Sequence, residues 1–206
     1  MIRHQVYSYF IVLTLFASCH KDVLLKCDYV FYRDKNAINY KKDFYSEFIT
    51  VKQDTVFRYS HFVTDSNHVI IKDFSHELLE CFTDSTYLLY EAFLLKNNVV
   101  IGTQWKSKEI DKNVDSVTII LRDIIRNKHF HDYVSNYCYV YEVDYSKVRN
   151  WYSHFTSYII YFDFEKKILL RRDCFNKHTL LGTEELVKMT KVKNPPTSAK
   201  YGGYHL

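Results

Sequence analysis

Short runs of β-branched and aromatic residues recur along nearly the whole chain, and long helical periods are missing between them. The runs span 28–33, 44–51, 54–63, 67–73, 86–95, 101–108, 116–125, 130–145, 149–164 and 167–174. Branched Cβ atoms and rings fit a pleated surface but lose rotamer freedom in a helix, so these runs predict strands. The connections use Asp34-Lys35-Asn36, Asp65-Ser66-Asn67, Lys96-Asn97-Asn98 and Asp111-Lys112-Asn113. With only four glycines and two prolines in the chain, Asn and Asp are expected to make the turns through local side-chain hydrogen bonds. Many strands at this spacing predict a mainly β fold, either an antiparallel sandwich or a strongly curved sheet.

Two segments test that expectation. Residues 114–125 carry Val114, Val117, Leu121 and Ile124 at helical spacing, but also alternate through Val117, Ile119 and Leu121. Their β-branched content favours a strand. Between Leu180 and Val192, Thr183-Glu184-Glu185 has the composition of a helix start. At most one short C-terminal helix is therefore expected.

At the N-terminus, Arg3 precedes an apolar run, Val6 to Phe16, broken only by Ser8 and Thr14. That run is too short to span a bilayer as an ordinary helix and suits a secretory signal. Leu15-Phe16-Ala17-Ser18-Cys19 resembles the lipobox of bacterial lipoproteins, with Phe16 standing where Leu is usual. The resemblance implies cleavage after Ser18 and acylation at Cys19, making Cys19 an attachment point rather than a nucleophile. Single acyl chains bind membranes reversibly, whereas two or three anchor a protein stably. Lys21-Asp22 is similar to the surface-export signal of some Gram-negative lipoproteins. The expected organisation is a signal peptide over 1–18, a lipidated tether over 19–27, one β domain over 28–192 and a flexible tail over 193–206. The implied location is the bacterial envelope, on the outer membrane, facing the periplasm or the surface. Plain secretion and an uncleaved N-terminal anchor are the competing readings.

The formal net charge is +4, and basic and acidic residues are interleaved, as in Arg33-Asp34-Lys35 and Arg171-Arg172-Asp173. A nucleic-acid binder gathers positive charge on one face or tail, and no such gathering is present beyond the short stretch Lys188 to Lys200. Nucleic acid is therefore not an expected partner.

Four cysteines remain in the body: Cys27, Cys81, Cys138 and Cys174. Each lies in an apolar or aromatic run, without metal-like spacing, and is expected to be a free, buried thiol. A meander through the segments around 138, 156 and 174 would hold Cys138 and Cys174 two strands apart, too far for a disulfide.

Two groups of residues have the chemistry to bind something. Tyr133, Tyr137, Tyr139, Tyr141 and Tyr145 all stand at odd positions, so a regular strand would place them on one face. Such a row either packs against the next strand or stacks on sugar rings, and Tyr137, Tyr139 and Tyr141 are the candidate ligand face. The equally aromatic Trp151, Phe155 and Tyr161 favour packing. His129 and His131, at i and i+2, would share a strand face and could ligate a metal, but His61, His68, His76 and His154 show no spacing that completes a site. A solvated loop is the simpler expectation, and neither a metal nor a cofactor is predicted. No Gly-rich phosphate loop, Gly-x-Ser-x-Gly elbow or His-Glu-x-x-His motif occurs, and no catalytic residue is assigned.

Gly102-Thr103-Gln104-Trp105, Phe130-His131-Asp132-Tyr133-Val134 and Tyr158 to Asp173 together resemble small β-rich bacterial lipoproteins of unknown function. The resemblance covers roughly residues 99–173 and implies no catalytic residue. The resulting expectation is a membrane-anchored protein that binds or supports another envelope component. A surface protein that binds or processes glycans is the alternative.

Overall fold

The computed structural model describes residues 24–33, 42–52, 55–64, 77–81, 83, 85–89, 93–107, 117–145 and 155–193. The signal segment, Cys19, residues 20–23, the strand expected over 67–73 and the tail from 194 onward lie outside the described residues. So do Trp151, His68, His76 and His154, and the side chains of His61 and Cys81.

The described residues form twelve strands: β1 (Leu24–Arg33), β2 (Lys42–Lys52), β3 (Thr55–Thr64), β4 (Glu77–Cys81), β5 (Thr86–Leu89), β6 (Phe93–Lys96), β7 (Gln104–Ser107), β8 (Val117–Phe130), β9 (Tyr133–Asp144), β10 (Ser157–Asp163), β11 (Ile168–Asn176) and β12 (Thr179–Val192). Ten of them form one antiparallel sheet in the order β4-β3-β2-β1-β12-β11-β10-β9-β8-β7. Two meanders, β1 to β4 and β7 to β12, are joined where the first strand pairs with the last. The connection between the meanders carries β5 and β6, which form a separate two-stranded sheet.

The large sheet bends. Register shifts interrupt β1–β12 at Asp28/Tyr29, β10–β11 at Tyr161/Phe162, β11–β12 at Cys174/Phe175 and β8–β9 at Leu121/Asp123. Each extra residue kinks its strand and increases the local twist. The curvature brings β12 into contact with β8 and β9, three or four strands away in the sheet. It also lets the Tyr29 hydroxyl donate to the Leu169 carbonyl oxygen at 2.8 Å, reaching across β12. Gly182 makes room at this seam: a Cβ there would meet the Phe31 ring at 2.7 Å.

The core lies on both sides of β9, β10 and β11. Ile160, Phe162 and Leu169 are fully buried, and Tyr87 of the small sheet packs on Phe162 at a ring separation of 4.6 Å. The small sheet is seated by side chains. The Trp105 indole donates to the Leu94 carbonyl oxygen (2.7 Å), and the Leu94 amide donates to Ser107 Oγ (3.0 Å). Those bonds satisfy backbone groups that a two-stranded ribbon would otherwise leave open.

The mainly β expectation holds, and the curved-sheet form of it is the one adopted. Residues 114–125 were the harder choice, and the described part, from Val117, is strand. One boundary changes. Residues 24–27, assigned to the tether, belong to β1, where Leu24, Leu25 and Cys27 are buried. Residues 179–192, where at most a short helix was expected, are strand β12. Cross-strand register sets Glu184 opposite Arg172 and Glu185 opposite Arg171, so opposite charges hold the two acids within the sheet. Positive φ falls on Asn127 within β8 and on His131, Lys167 and Lys177 in turns; of the expected Asn and Asp connections, Lys96-Asn97-Asn98 bends after β6, and 34–36, 65–67 and 111–113 lie outside the described residues. Cys27, Cys138 and Cys174 are buried thiols outside any disulfide.

Candidate functional site

β8 outruns its outer neighbour. β7 pairs only with Val117 to Ile120, and the chain just before β7 then covers Leu121 through bonds to Gly102 and Thr103. From Arg122 to Phe130, no described strand pairs with the outer edge of β8. Arg122, Asp123, Arg126, Asn127, Lys128 and His129 are exposed along it. Arg122 is neutralised by Glu142 of β9 at 2.6 Å, and the Asp123 carboxylate accepts from the Ile124 amide at 2.8 Å. Arg126 lies over the Tyr137 ring at 5.7 Å or less, with 5.6 Å to its centroid.

This arm is exposed yet pinned. Phe130, at its tip, is buried edge-on against Tyr161 with ring centroids 6.2 Å apart. Behind it, the Tyr133 and Ser135 hydroxyls each donate to Asp163 Oδ2 at 2.7 Å. The other carboxylate oxygen accepts from the Lys166 amide at 2.9 Å, which closes the β10–β11 turn. Asp163 is 2% exposed. Burial, and then the Asp163 carboxylate, push the Tyr133 phenol well above its ordinary range, so it stays a donor. Burial, then Asp163, push the Cys138 thiol up to about 12, and burial pushes Cys174 up to about 11. Thiols this reluctant to ionise are poor nucleophiles. Ser135 is fully buried and gives its proton to Asp163, so it too is structural.

The tyrosine row divides between two faces. Tyr139 pairs with Phe162, and Tyr141 with Ile160, on the side covered by the small sheet. Tyr133 and Ser135 instead reach Asp163, which belongs to the opposite side because it follows Phe162 in β10. Along β9 the burial stops alternating between Ser135 and Cys138. Of the candidate ligand face, Tyr141 is 0% exposed and donates its hydroxyl to the Lys96 carbonyl oxygen at 2.8 Å. Tyr139 is half-buried against Phe164 at 5.0 Å, and Tyr137 is 50% exposed. Tyr145 is buried edge-on against Phe93 and Tyr158. Only Tyr137 offers most of its ring to solvent within this trio.

The histidines part as well. His129 is the penultimate residue of β8 while His131 sits in the turn beyond Phe130, so they do not share a strand face. His131 Nε2 lies 3.9 Å from Glu185 Oε2 of β12. Among the described residues, no group of three His, Cys, Asp or Glu side chains is arranged to hold a metal.

Two charged clusters went unnoticed in the sequence. Asp173 accepts from Arg171 Nε at 2.9 Å and Thr183 Oγ1 at 2.8 Å, while the Arg171 guanidinium lies over Tyr161. Glu184, 2% exposed, is paired with Arg172 at 2.6 Å. The legible signal was Arg171-Arg172 and Glu184-Glu185 flanking the Asn176-Lys177 turn at complementary register. Burial pushes the Glu184 carboxyl up to about 8. Because the folded-state value lies above the unfolded one, this group's contribution is present at low pH and lost as pH rises through about 8. The urea midpoint of the protein is expected to fall between pH 5 and pH 9, with Glu184 contributing at most about 1.4 kcal/mol per pH unit. Glu184→Gln is expected to flatten that slope, and an unchanged slope would refute the assignment.

No protein-family profile matches the chain, and no curated protein matches it. Among solved structures, it is similar to MucB in complex with MucA(peri), at 13% identity and a TM-score of 0.41, over 88% of this chain and 54% of that one. MucB alone gives 12% identity and a TM-score of 0.40, over 97% and 64%. An outer membrane lipoprotein-sorting protein domain from Vibrio parahaemolyticus gives 9% identity and a TM-score of 0.28, over 88% and 89%. The chain thus spans little more than half the length of the first of these.

Proposed function

We propose that this chain is a bacterial envelope lipoprotein, held on a membrane by acyl chains at Cys19, that binds another envelope component without catalysing a reaction. The observation that carries the binding role is the β8–β9 arm, whose outer edge pairs with no strand among the described residues while its base is bonded to Asp163. An open strand edge invites pairing, and folded proteins usually cover or shorten such edges. Here the edge is kept long and rigid. The buried, proton-holding thiols and Ser135 favour binding over covalent chemistry.

The anchor follows from Leu15 to Cys19. Since β1 begins at Leu24, the tether shortens to residues 19–23. Fully extended, such a segment reaches at most about 18 Å, which keeps the sheet close to the bilayer. Mass spectrometry of the mature N-terminus from a membrane fraction is expected to find acylated Cys19, and Cys19→Ala to release the protein from membranes. A chain starting at Met1 with an unmodified thiol would overturn the anchor.

A further inference from the structure

We infer that the outer edge of β8 between Arg122 and Phe130 is a docking edge for an acidic, extended segment of another protein, which adds there as a further strand. The inference rests on the binding role proposed above and names the class of partner. Three observations lead to it.

The first is the open edge itself. β7 stops opposite Val117, and the chain preceding it covers the sheet only as far as Leu121. Beyond that point, no strand among the described residues pairs with the outer side of β8. A partner strand can take up the backbone groups of that side, main-chain bonds supplying affinity and side chains specificity.

The second is rigidity. Phe130, Tyr133 and Ser135 fasten the arm to Tyr161 and Asp163, so the edge is already shaped before anything binds. A pre-ordered edge loses little conformational entropy on docking.

The third is charge. From Ile124 to His131 the chain reads Ile-Ile-Arg-Asn-Lys-His-Phe-His, with no acid. Of the carboxylates nearby, Glu142 is paired with Arg122, the Asp123 carboxylate accepts from the Ile124 amide, and Asp132 lies in the turn beyond the stretch. Arg126 and Lys128 are thus exposed cations along the open stretch. A second copy is a poor occupant: antiparallel self-pairing about Asn127 would set Arg126 opposite Lys128 of the copy, and like charges directly opposed destabilise a sheet. Acidic side chains on an incoming strand meet the opposite condition. The half-buried Ile124 and Ile125 offer apolar neighbours to the residues between them.

The test uses the full chain, purified from membranes in detergent, and an acetylated, amidated decapeptide of alternating Val and Glu. Binding is expected, with amide exchange slowed within residues 122–130 and not along the opposite sheet edge. N-methylation of alternate peptide amides, made in both registers, should abolish that slowing. The double variant Arg126→Glu, Lys128→Glu should weaken binding about tenfold, because two exposed charge contacts are reversed. Both side chains are exposed, so its urea midpoint should match the parent, and Arg126→Gln alone gives a milder check. Failure to bind, binding without slowed exchange at 122–130, or equal binding of an alternating Val-Lys peptide would overturn the inference. So would capture of phosphatidylglycerol vesicles through Arg126 and Lys128 in place of the peptide. These outcomes leave the Cys19 measurement untouched, so the edge and the anchor stand or fall separately.

Discussion

Tyr141→Ala is expected to cost about 3–5 kcal/mol of folding stability, while Tyr137→Ala, four residues earlier on the same strand, stays within about 0.5 kcal/mol. Tyr141 is fully buried, edge-on to Trp105 at 6.1 Å, stacked with Tyr139 at 6.5 Å and tilted against Phe164 at 6.4 Å. Truncation leaves a ring-sized cavity that the two sheets cannot collapse into without moving both. It also removes the bond from the Tyr141 hydroxyl to Lys96, one of the contacts seating β6. Burial, the largest influence on that phenol, pushes its ionisation far upward, so the bond persists across ordinary pH. Tyr137 is half exposed and touches mainly Arg126. Tyr141→Phe separates the terms: keeping the ring and losing the hydroxyl should cost only about 1 kcal/mol. Urea unfolding with an unchanged m-value is the measurement. If Tyr141→Ala proved as mild as Tyr137→Ala, the ring would not be core, and a ligand face would again be open for it.

Asp163→Ala should be comparably damaging, at about 3–5 kcal/mol, for a different reason. Its carboxylate gathers three donors: two hydroxyls from β9 and the Lys166 amide. Removing it strands the buried Ser135 hydroxyl, at about 1–3 kcal/mol, and releases the part-buried Tyr133 hydroxyl and Lys166 amide as well. The loss falls on a protein whose total stability is only about 5–15 kcal/mol. Asp163→Asn retains one acceptor oxygen and should recover part of the loss. The consequence for the arm is specific. With Tyr133 and Ser135 released, amide exchange over 122–137 should rise more than in β1 or β12. Uniform acceleration across the sheet would instead make Asp163 a general core residue with no role in holding the arm.

Much of the architecture was legible because it is local. Recurring β-branched and aromatic runs announce strands wherever they occur, and the segment from Val117 obeyed that signal against a competing helical period. Glu184 and Glu185 disobeyed their local signal. Their partners, Arg171 and Arg172, lie on a neighbouring strand, and the pairing exists only once the β11–β12 hairpin has closed. The same limit hid the split tyrosine row. Equal spacing promises a shared face only while the strand alternates regularly, and along β9 the burial stops alternating between Ser135 and Cys138.

The amino-acid order alone determined that the chain is a strand former with few glycines and with thiols suited to a core. Those properties depend on side-chain shape and short-range pattern. Tertiary structure alone decided which tyrosine is buried, which carboxylate collects the hydroxyls of β9, and which strand keeps an open edge. Each of these depends on register between segments far apart in sequence, set when β1 pairs with β12 and the bulges bend the sheet. A side chain's chemistry is written where it stands, but its surroundings come from the strand beside it.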